Sequence, residues 1–557
     1  TGSNAGREGG FLMGLSNRCL RFFILANRPL SSEGPNPGRG CRCFAKLVFL
    51  KKDEYNGGGI AVDLAWMEAF PGEGVPCVLF LTKEGKEKEA YLSSLPKGVM
   101  EAVERALCIG RPCCDGKTTF LFADQAPLIL YGLGCKPATL DRIRKAFSRV
   151  GRELVGRHVE KAAFVLPGFE GLSPETVIEE AAIGLGVGTF DLGIFKTSLC
   201  ESEEGGHKAP TLQAAWFKSL VLDPEEGKRV LLKAGRVIEA VNWTRAFNTR
   251  PGNIAMPDAL AEEARGLAKA YPDLLHVEVL GQEEIEKERM GGVLAVSAGS
   301  ENPPRFIVLE YAPQNASRTV ALVGKAVTFD SGGISLKPGK DMDKMKYDKS
   351  GGVAVLGLIR ALCEIKLPVR VIGIIPAVEN MPSGKAARPG DVITLRAGRT
   401  VEVVNTDAEG RLILADGLDY ALSKSPDLIV DIATLTGACV VALGHLASGL
   451  LGTADQGTIE AFFRSGERTG ERVWQLPLWD EYAEALKTPY ADFKNVGDGA
   501  AGTITAAAFL KPYVKNVPWV HLDIAGTAWN DKEGGFLPVG PTGTPVRLLL
   551  SFLEEVA

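Results

Sequence analysis

Val323-Gly-Lys-Ala-Val-Thr-Phe-Asp-Ser-Gly-Gly-Ile-Ser-Leu-Lys337 and Asn405-Thr-Asp-Ala-Glu-Gly-Arg411 decide how this chain reads. Each places acids beside glycines at the end of an apolar, strand-like run. In open α/β sheets, ligand sites form at the carboxyl ends of strands. The runs around them, Arg305–Glu310, Val320–Val323, Val369–Ile375 and Leu428–Asp431, predict further strands with helical segments between them.

Working outward, Cys77–Leu81, Thr119–Ala123 and Leu128–Tyr131 also predict strands, as does the run from Ala45 to Leu50, and Lys97–Leu107 predicts a helix. Glu201–Pro210 is polar and Gly-rich, a loop. After Asp223 a long helical pattern runs from Gly227 to Asn248, acidic at its start. The expected fold is therefore α/β with two domains. Residues 1–45, rich in Gly, Arg and Pro without a sustained period, form a flexible N-terminal extension. A smaller N-terminal α/β domain follows at 46–222, then a connecting helix at 223–248. The larger catalytic α/β domain occupies 249–557, with a mixed, mostly parallel sheet covered by helices.

Composition narrows the class. Of 557 residues, 45% are apolar and 24% charged, which excludes a disordered chain, a collagen-like repeat and a small disulfide scaffold. The 63 basic and 68 acidic residues give −5, so no global basic field invites nucleic acid. One local cluster, Arg142, Arg144, Lys145, Arg149 and Arg152, is read as a solvated helix face. The 11 cysteines include no C-x-x-C pair and suit reduced thiols in an intracellular chain. Ile432–Leu451 carries no charge, yet Thr434, Thr436, His445 and Ser448 within it favour a buried core segment over a membrane span. Leu20–Ala26 is too short for a signal peptide. The 65 glycines exceed the usual share of about 7%. Gly324, Gly332, Gly333, Gly351, Gly352, Gly410 and Gly437 are expected to serve close backbone approach beside the acids.

Asp407 and Glu409 are two apart, so in an extended segment they point the same way. Asp330 and Asp348 can join them only through the fold. Four converging carboxylates repel one another unless cations lie among them, and Lys325 and Lys337 neutralise only part of the charge. Spacing leaves two readings open: solvated strand-end acids with turn glycines, or an oxygen-rich site for divalent ions. Ser331 lacks the G-x-S-x-G context of a nucleophile, and His521 reads as a core residue.

The two stretches resemble the signature segments of the leucyl aminopeptidase family, the cytosol-type dinuclear metallo-exopeptidases. The similarity extends through Glu239–Thr244, Gly299–Tyr311, Pro376–Met381, Asp431–Ala438 and His521–Trp529, covering residues 235–550. It implies one metal on Lys325, Asp330, Asp348 and Glu409, and a second on Asp330, Asp407 and Glu409, with Asp330 and Glu409 bridging. Zn or Mn is implied, with Co or Mg also compatible. The catalytic residues fall on Lys337, which polarises the scissile carbonyl, and Arg411, which holds a bicarbonate proton relay. Met345, Asn405, Thr434 and Leu435 fall where the family lines its substrate site. A hydroxide between the metals would release N-terminal, leucine-like residues from peptides with a free N-terminus. The resemblance also implies a cytoplasmic homohexamer without membrane attachment. Some members bind DNA through the N-terminal domain, which keeps a regulatory role open here through the Arg142–Arg152 cluster. A different two-metal hydrolase, such as a phosphatase, is the remaining reading. Ala326 departs from the family, where glycine follows the ligand lysine.

Overall fold

Short runs of β-branched and aromatic residues form the first sheet of the computed structural model, which describes residues 62–557 apart from 69, 71–74, 83–90, 110–114, 124–125, 135, 196–210 and 533–534. The extension 1–45, the strand expected at 45–50 and the loop at 201–210 lie outside the described residues. The strands are β1 (Asp63–Trp66), β2 (Cys77–Thr82), β3 (Thr118–Ala123), β4 (Ala126–Gly134), β5 (Lys161–Leu166) and β6 (Ala214–Ser219). They lie in the order β1-β6-β5-β2-β4-β3, and only the β3–β4 pair is antiparallel. The helices Leu140–Gly156 and Pro174–Gly188 bury apolar residues against this core, where the Phe147 ring stacks on Phe80 at 4.3 Å.

The helix Pro224–Thr249 leads from this domain into the next. Asp223 starts it: its carboxylate accepts the Glu225 N–H at 2.9 Å and offsets the helix dipole. The second sheet contains β7 (Leu275–Leu280), β8 (Arg305–Tyr311), β9 (Thr319–Gly324), β10 (Ala326–Asp330), β11 (Arg370–Asn380), β12 (Leu428–Ala433), β13 (Ser448–Gly452), β14 (Val473–Gln475) and β15 (Trp519–Asp523). Its order is β14-β13-β15-β12-β9-β11-β8-β7, with β10 beside β11. Pairs β9–β11, β9–β12, β12–β15, β10–β11 and β13–β14 are parallel, so the sheet is mixed and mostly parallel. All six residues of β12 are buried, as a central parallel strand requires.

The helix Ser350–Ile365 covers this sheet, and its first turn meets the strand ends closely. A Cβ on Gly351 would stand 2.1 Å from the Ile432 carbonyl, so only glycine fits there. Gly437 corrects the glycine expectation: a side chain there would meet nothing within 4 Å.

Two further expectations hold only in part. The Ile432–Leu451 segment is buried where it forms β12 and β13, but the intervening helix Gly437–Leu443 and the turn after it expose Val441 at 90% and Leu446 at 79%. No helix among the described residues is long and apolar enough to cross a membrane. The basic cluster is a solvated face only in part: Lys145 and Arg149 are exposed, Arg142 and Arg152 half-buried. Arg144 is buried, its Nε donating to Glu180 Oε2 at 2.6 Å. Arg152 Nη1 donates to Ser148 Oγ at 2.7 Å, Arg142 pairs with Asp115 at 3.3 Å, and Lys145 pairs with Asp141 at 2.7 Å. Helical spacing groups these charges but does not reveal that Arg144 turns into the fold.

Glu180 also accepts two hydrogen bonds from Arg547 Nη2, at 2.6 and 2.7 Å, and so ties the N-terminal domain to the last helix, Val546–Val556. Removing one member of a buried ion cluster leaves charge uncompensated. Glu180→Ala should therefore cost about 3–5 kcal/mol in urea unfolding; a loss below about 1 kcal/mol would show that the arginines find other partners.

Candidate active site

Lys325 stands between β9 and β10, at the carboxyl end of the sheet, and its N–H donates to the Ile432 carbonyl at 3.0 Å. Asp330 closes β10. Gly332 and Gly333 follow it with φ of 86° and 67°, the left-handed geometry that turns the chain back toward Lys337. Asp348 caps the 3-10 helix Met342–Tyr347. Asp407 and Glu409 lie in a turn that opens the helix Gly410–Leu422, not in an extended segment. They nevertheless converge: oxygens of Asp330, Asp407 and Glu409 lie within 4.8 Å of one another.

Two lysines divide the acids. Lys325 Nζ donates to Asp348 Oδ1 at 2.8 Å and to the Thr434 carbonyl at 3.0 Å, and pairs with Glu409 Oε1 at 2.8 Å. Lys337 Nζ lies 2.8 Å from Asp330 Oδ2 and 2.5 Å from Asp407 Oδ1. The Lys325–Glu409 side is closed, at 3% side-chain exposure for both, whereas Lys337 and Asp407 are 20% and 32% exposed at the mouth.

The charge balance is incomplete. Four carboxylates face two ammoniums. Burial, followed by Asp330 among the neighbouring charges, pushes Glu409 up to about 8 despite Lys325. Burial likewise lifts Asp348 to about 6. For Lys325 burial works against the ammonium, but Asp348, Glu409 and Asp330 outweigh it and raise the pKa. Three buried carboxylate oxygens, Asp348 Oδ2, Asp407 Oδ1 and Glu409 Oε2, have no hydrogen-bond partner. Asp348 Oδ2 and Asp407 Oδ1 touch lysine nitrogens at 2.7 and 2.5 Å, but outside hydrogen-bonding geometry. Buried carboxylates in excess of their ammonium partners fit hard divalent cations, which would offset the burial and the repulsion that raise these pKa values.

The remaining expected residues are placed unevenly. Thr434 meets the cluster directly, its hydroxyl donating to Asp348 Oδ1 at 2.6 Å. Asn405 Oδ1 accepts the Asp407 N–H at 2.9 Å. The backbone carbonyl of half-buried Met345 accepts the Asp348 N–H at 3.3 Å. Leu435 is reached through its N–H, which donates to Asp523 Oδ1 at 3.2 Å. Arg411 is buried. Its Nη1 donates to the Asn495 carbonyl at 2.8 Å and its Nε is unpartnered. Burial lowers its pKa to about 10, so it stays charged at neutral pH. His521 is a core residue, with Nδ1 2.6 Å from Asp431 Oδ1.

Sequence reasoning missed Asn380, whose Nδ2 donates to Asp330 Oδ1 at 2.9 Å and to the Thr406 carbonyl at 3.1 Å. It lies in the Pro376–Met381 stretch, which carried the resemblance but no assigned role. It missed Asn495 as well, where no local motif gave a signal.

Asp330, Asp407 and Glu409, gathered with Lys325 and Lys337 at the strand ends of a mixed sheet, form a candidate divalent-cation site in an α/β fold. The chain belongs to the cytosol aminopeptidase family. Residues 242–550 match that family's catalytic domain and residues 78–198 its N-terminal domain. A probable cytosol aminopeptidase of Geobacter sulfurreducens is 44% identical over 77% of this chain and 84% of its own length. One of Roseiflexus castenholzii is 42% identical over 83% of this chain and 94% of its own. Among solved structures, the bottromycin maturation enzyme BotP in complex with Mn superposes with a TM-score of 0.75. It is 30% identical, over 86% of this chain and 99% of that one.

Proposed function

We propose that this chain releases N-terminal residues, preferentially apolar and leucine-like, from peptides, using two divalent metals. The observation that carries the reading is the excess of four carboxylates over two lysines, with Glu409 Oε2 left without a partner, in a chain of this family. Lys325, Asp330, Asp348 and Glu409 would hold one ion, Lys325 as a neutral amine whose proton the cation would displace, and Asp330, Asp407 and Glu409 would hold the other. The Mn complex of BotP supports manganese, with zinc as the alternative. When bound, such ions supply Lewis acidity and lower the pKa of water.

The chain's own groups do the rest. Lys337, partly exposed at the mouth, carries an ammonium that stabilises negative charge developing on the scissile carbonyl oxygen. Arg411 is a fixed cation and a poor base, so its unpartnered Nε suits holding a bicarbonate that relays protons. Leu435 offers an apolar wall, and Met345, Asn405 and Thr434 border the same space. Family resemblance supports a cytoplasmic homohexamer.

A free α-amine marks the exopeptidase. With Mn2+ present, the protein should cleave L-leucyl 4-nitroanilide and leave the N-acetylated compound intact. Comparable release of nitroaniline from both would contradict the reading.

A further inference from the structure

Asn495 is fully buried, and its amide is spent on a single turn. Nδ2 donates to the Asn405 carbonyl at 2.7 Å and to the Ala408 carbonyl at 3.4 Å. Oδ1 accepts the Val404 N–H at 2.8 Å and the Asn405 N–H at 3.3 Å. Two donors and two acceptor positions are the whole capacity of a primary amide. The backbone of the same residue adds two contacts: its N–H donates to the Glu402 carbonyl at 3.0 Å, and its carbonyl accepts from Arg411 Nη1.

The turn so gripped carries Asp407 and leads directly into Glu409 and Arg411. It has neither ladder nor helix of its own to set its backbone, since the strand Thr400–Glu402 ends before it and the helix Gly410–Leu422 begins after it. Asn495 arrives on the two-residue strand Phe493–Lys494, which pairs in parallel with Val401 and Glu402. Asp492 fastens the outer end of this arm by accepting the Thr400 N–H at 2.9 Å and the Thr400 hydroxyl at 3.1 Å.

We infer that Asn495 is a positioning residue: by clamping the backbone of residues 404–408 and holding Arg411, it sets the spacing of Asp407, Glu409 and Arg411 on which metal binding and turnover depend. The inference rests on the proposed metal-dependent hydrolysis. Asn495→Asp keeps the shape and both acceptor positions but cannot donate to the Asn405 and Ala408 carbonyls. Asn495→Ala removes all four side-chain bonds. Groups that orient metal ligands typically affect metal affinity or activity by about 10–100-fold.

The test measures kcat and KM on L-leucyl 4-nitroanilide, together with calorimetric titration of the metal-stripped protein with Mn2+. Both variants should lose about 10–100-fold in kcat and weaken Mn2+ binding by a similar factor, with KM within about threefold of the wild type. Asp492→Ala, which removes the side-chain bonds to Thr400 and leaves those of Asn495 in place, should match the wild type in all three. Wild-type kcat and Mn2+ affinity in Asn495→Asp would overturn the inference. So would equal losses in Asp492→Ala, or failure of both Asn495 variants to fold, since either would assign the residue to the fold at large. If the wild type itself cleaves no anilide, the proposed function fails, while the Mn2+ titrations still report on the clamp.

Discussion

Glu409→Ala should abolish peptide hydrolysis, lowering kcat/KM by about a thousandfold or more, while the protein still folds. Lewis-acid assistance is worth several kcal/mol, and each 1.4 kcal/mol is a factor of ten in rate. Glu409 is buried, its Oε2 has no hydrogen-bond partner, and burial, followed by the charge of Asp330, pushes its pKa up to about 8. A buried carboxylate in that position contributes little to stability. Its removal does not orphan Lys325, which retains Asp348 at 2.8 Å and the Thr434 carbonyl at 3.0 Å. Melting temperature and bound metal, measured beside activity, separate the outcomes. An unchanged or higher Tm with lost metal and lost turnover is expected. Retained turnover would remove Glu409 from the metal centre.

Lys337→Met should lower kcat by about 10²–10³-fold, the range for deleting one donor to a developing oxyanion. KM should change little, because the interaction forms in the transition state. Asp330 Oδ2 at 2.8 Å and Asp407 Oδ1 at 2.5 Å hold the ammonium between two acids, yet the side chain keeps 20% exposure toward the mouth. Lys337→Arg should not restore the rate, since a planar guanidinium cannot occupy the place of a compact ammonium between the two carboxylates. A raised KM with unchanged kcat would instead assign Lys337 to substrate binding.

The grouping of these acids was legible because two local stretches carry them, while the roles given to them came from the family resemblance of those stretches. Lys325 and Asp330 bracket a short apolar strand, Asp407 and Glu409 share one turn, and strand ends in α/β sheets gather ligands. The alternation of strands and helices likewise announced two α/β domains. What escaped depends on contacts between distant segments. Asn495 carries no motif, and its grip on the 404–408 turn arises only from the pairing of two very short strands. Asn380 sat in a noticed stretch, but its bond to Asp330 crosses from β11 to the end of β10. The extended reading of Asp407–Glu409 failed because a helix begins at Gly410 and curls the chain just before it. Arg144 read as surface because charge on a helix predicts solvent; the carboxylate of Glu180 from the next helix reverses that prediction.

The proposed two-metal centre is open to stepwise addition of Mn2+ to the metal-stripped protein, with L-leucyl 4-nitroanilide turnover read at each step. Turnover should be negligible without metal and should saturate near two equivalents per chain. Full turnover in the stripped protein, or a rate indifferent to Mn2+ and Zn2+, would contradict it.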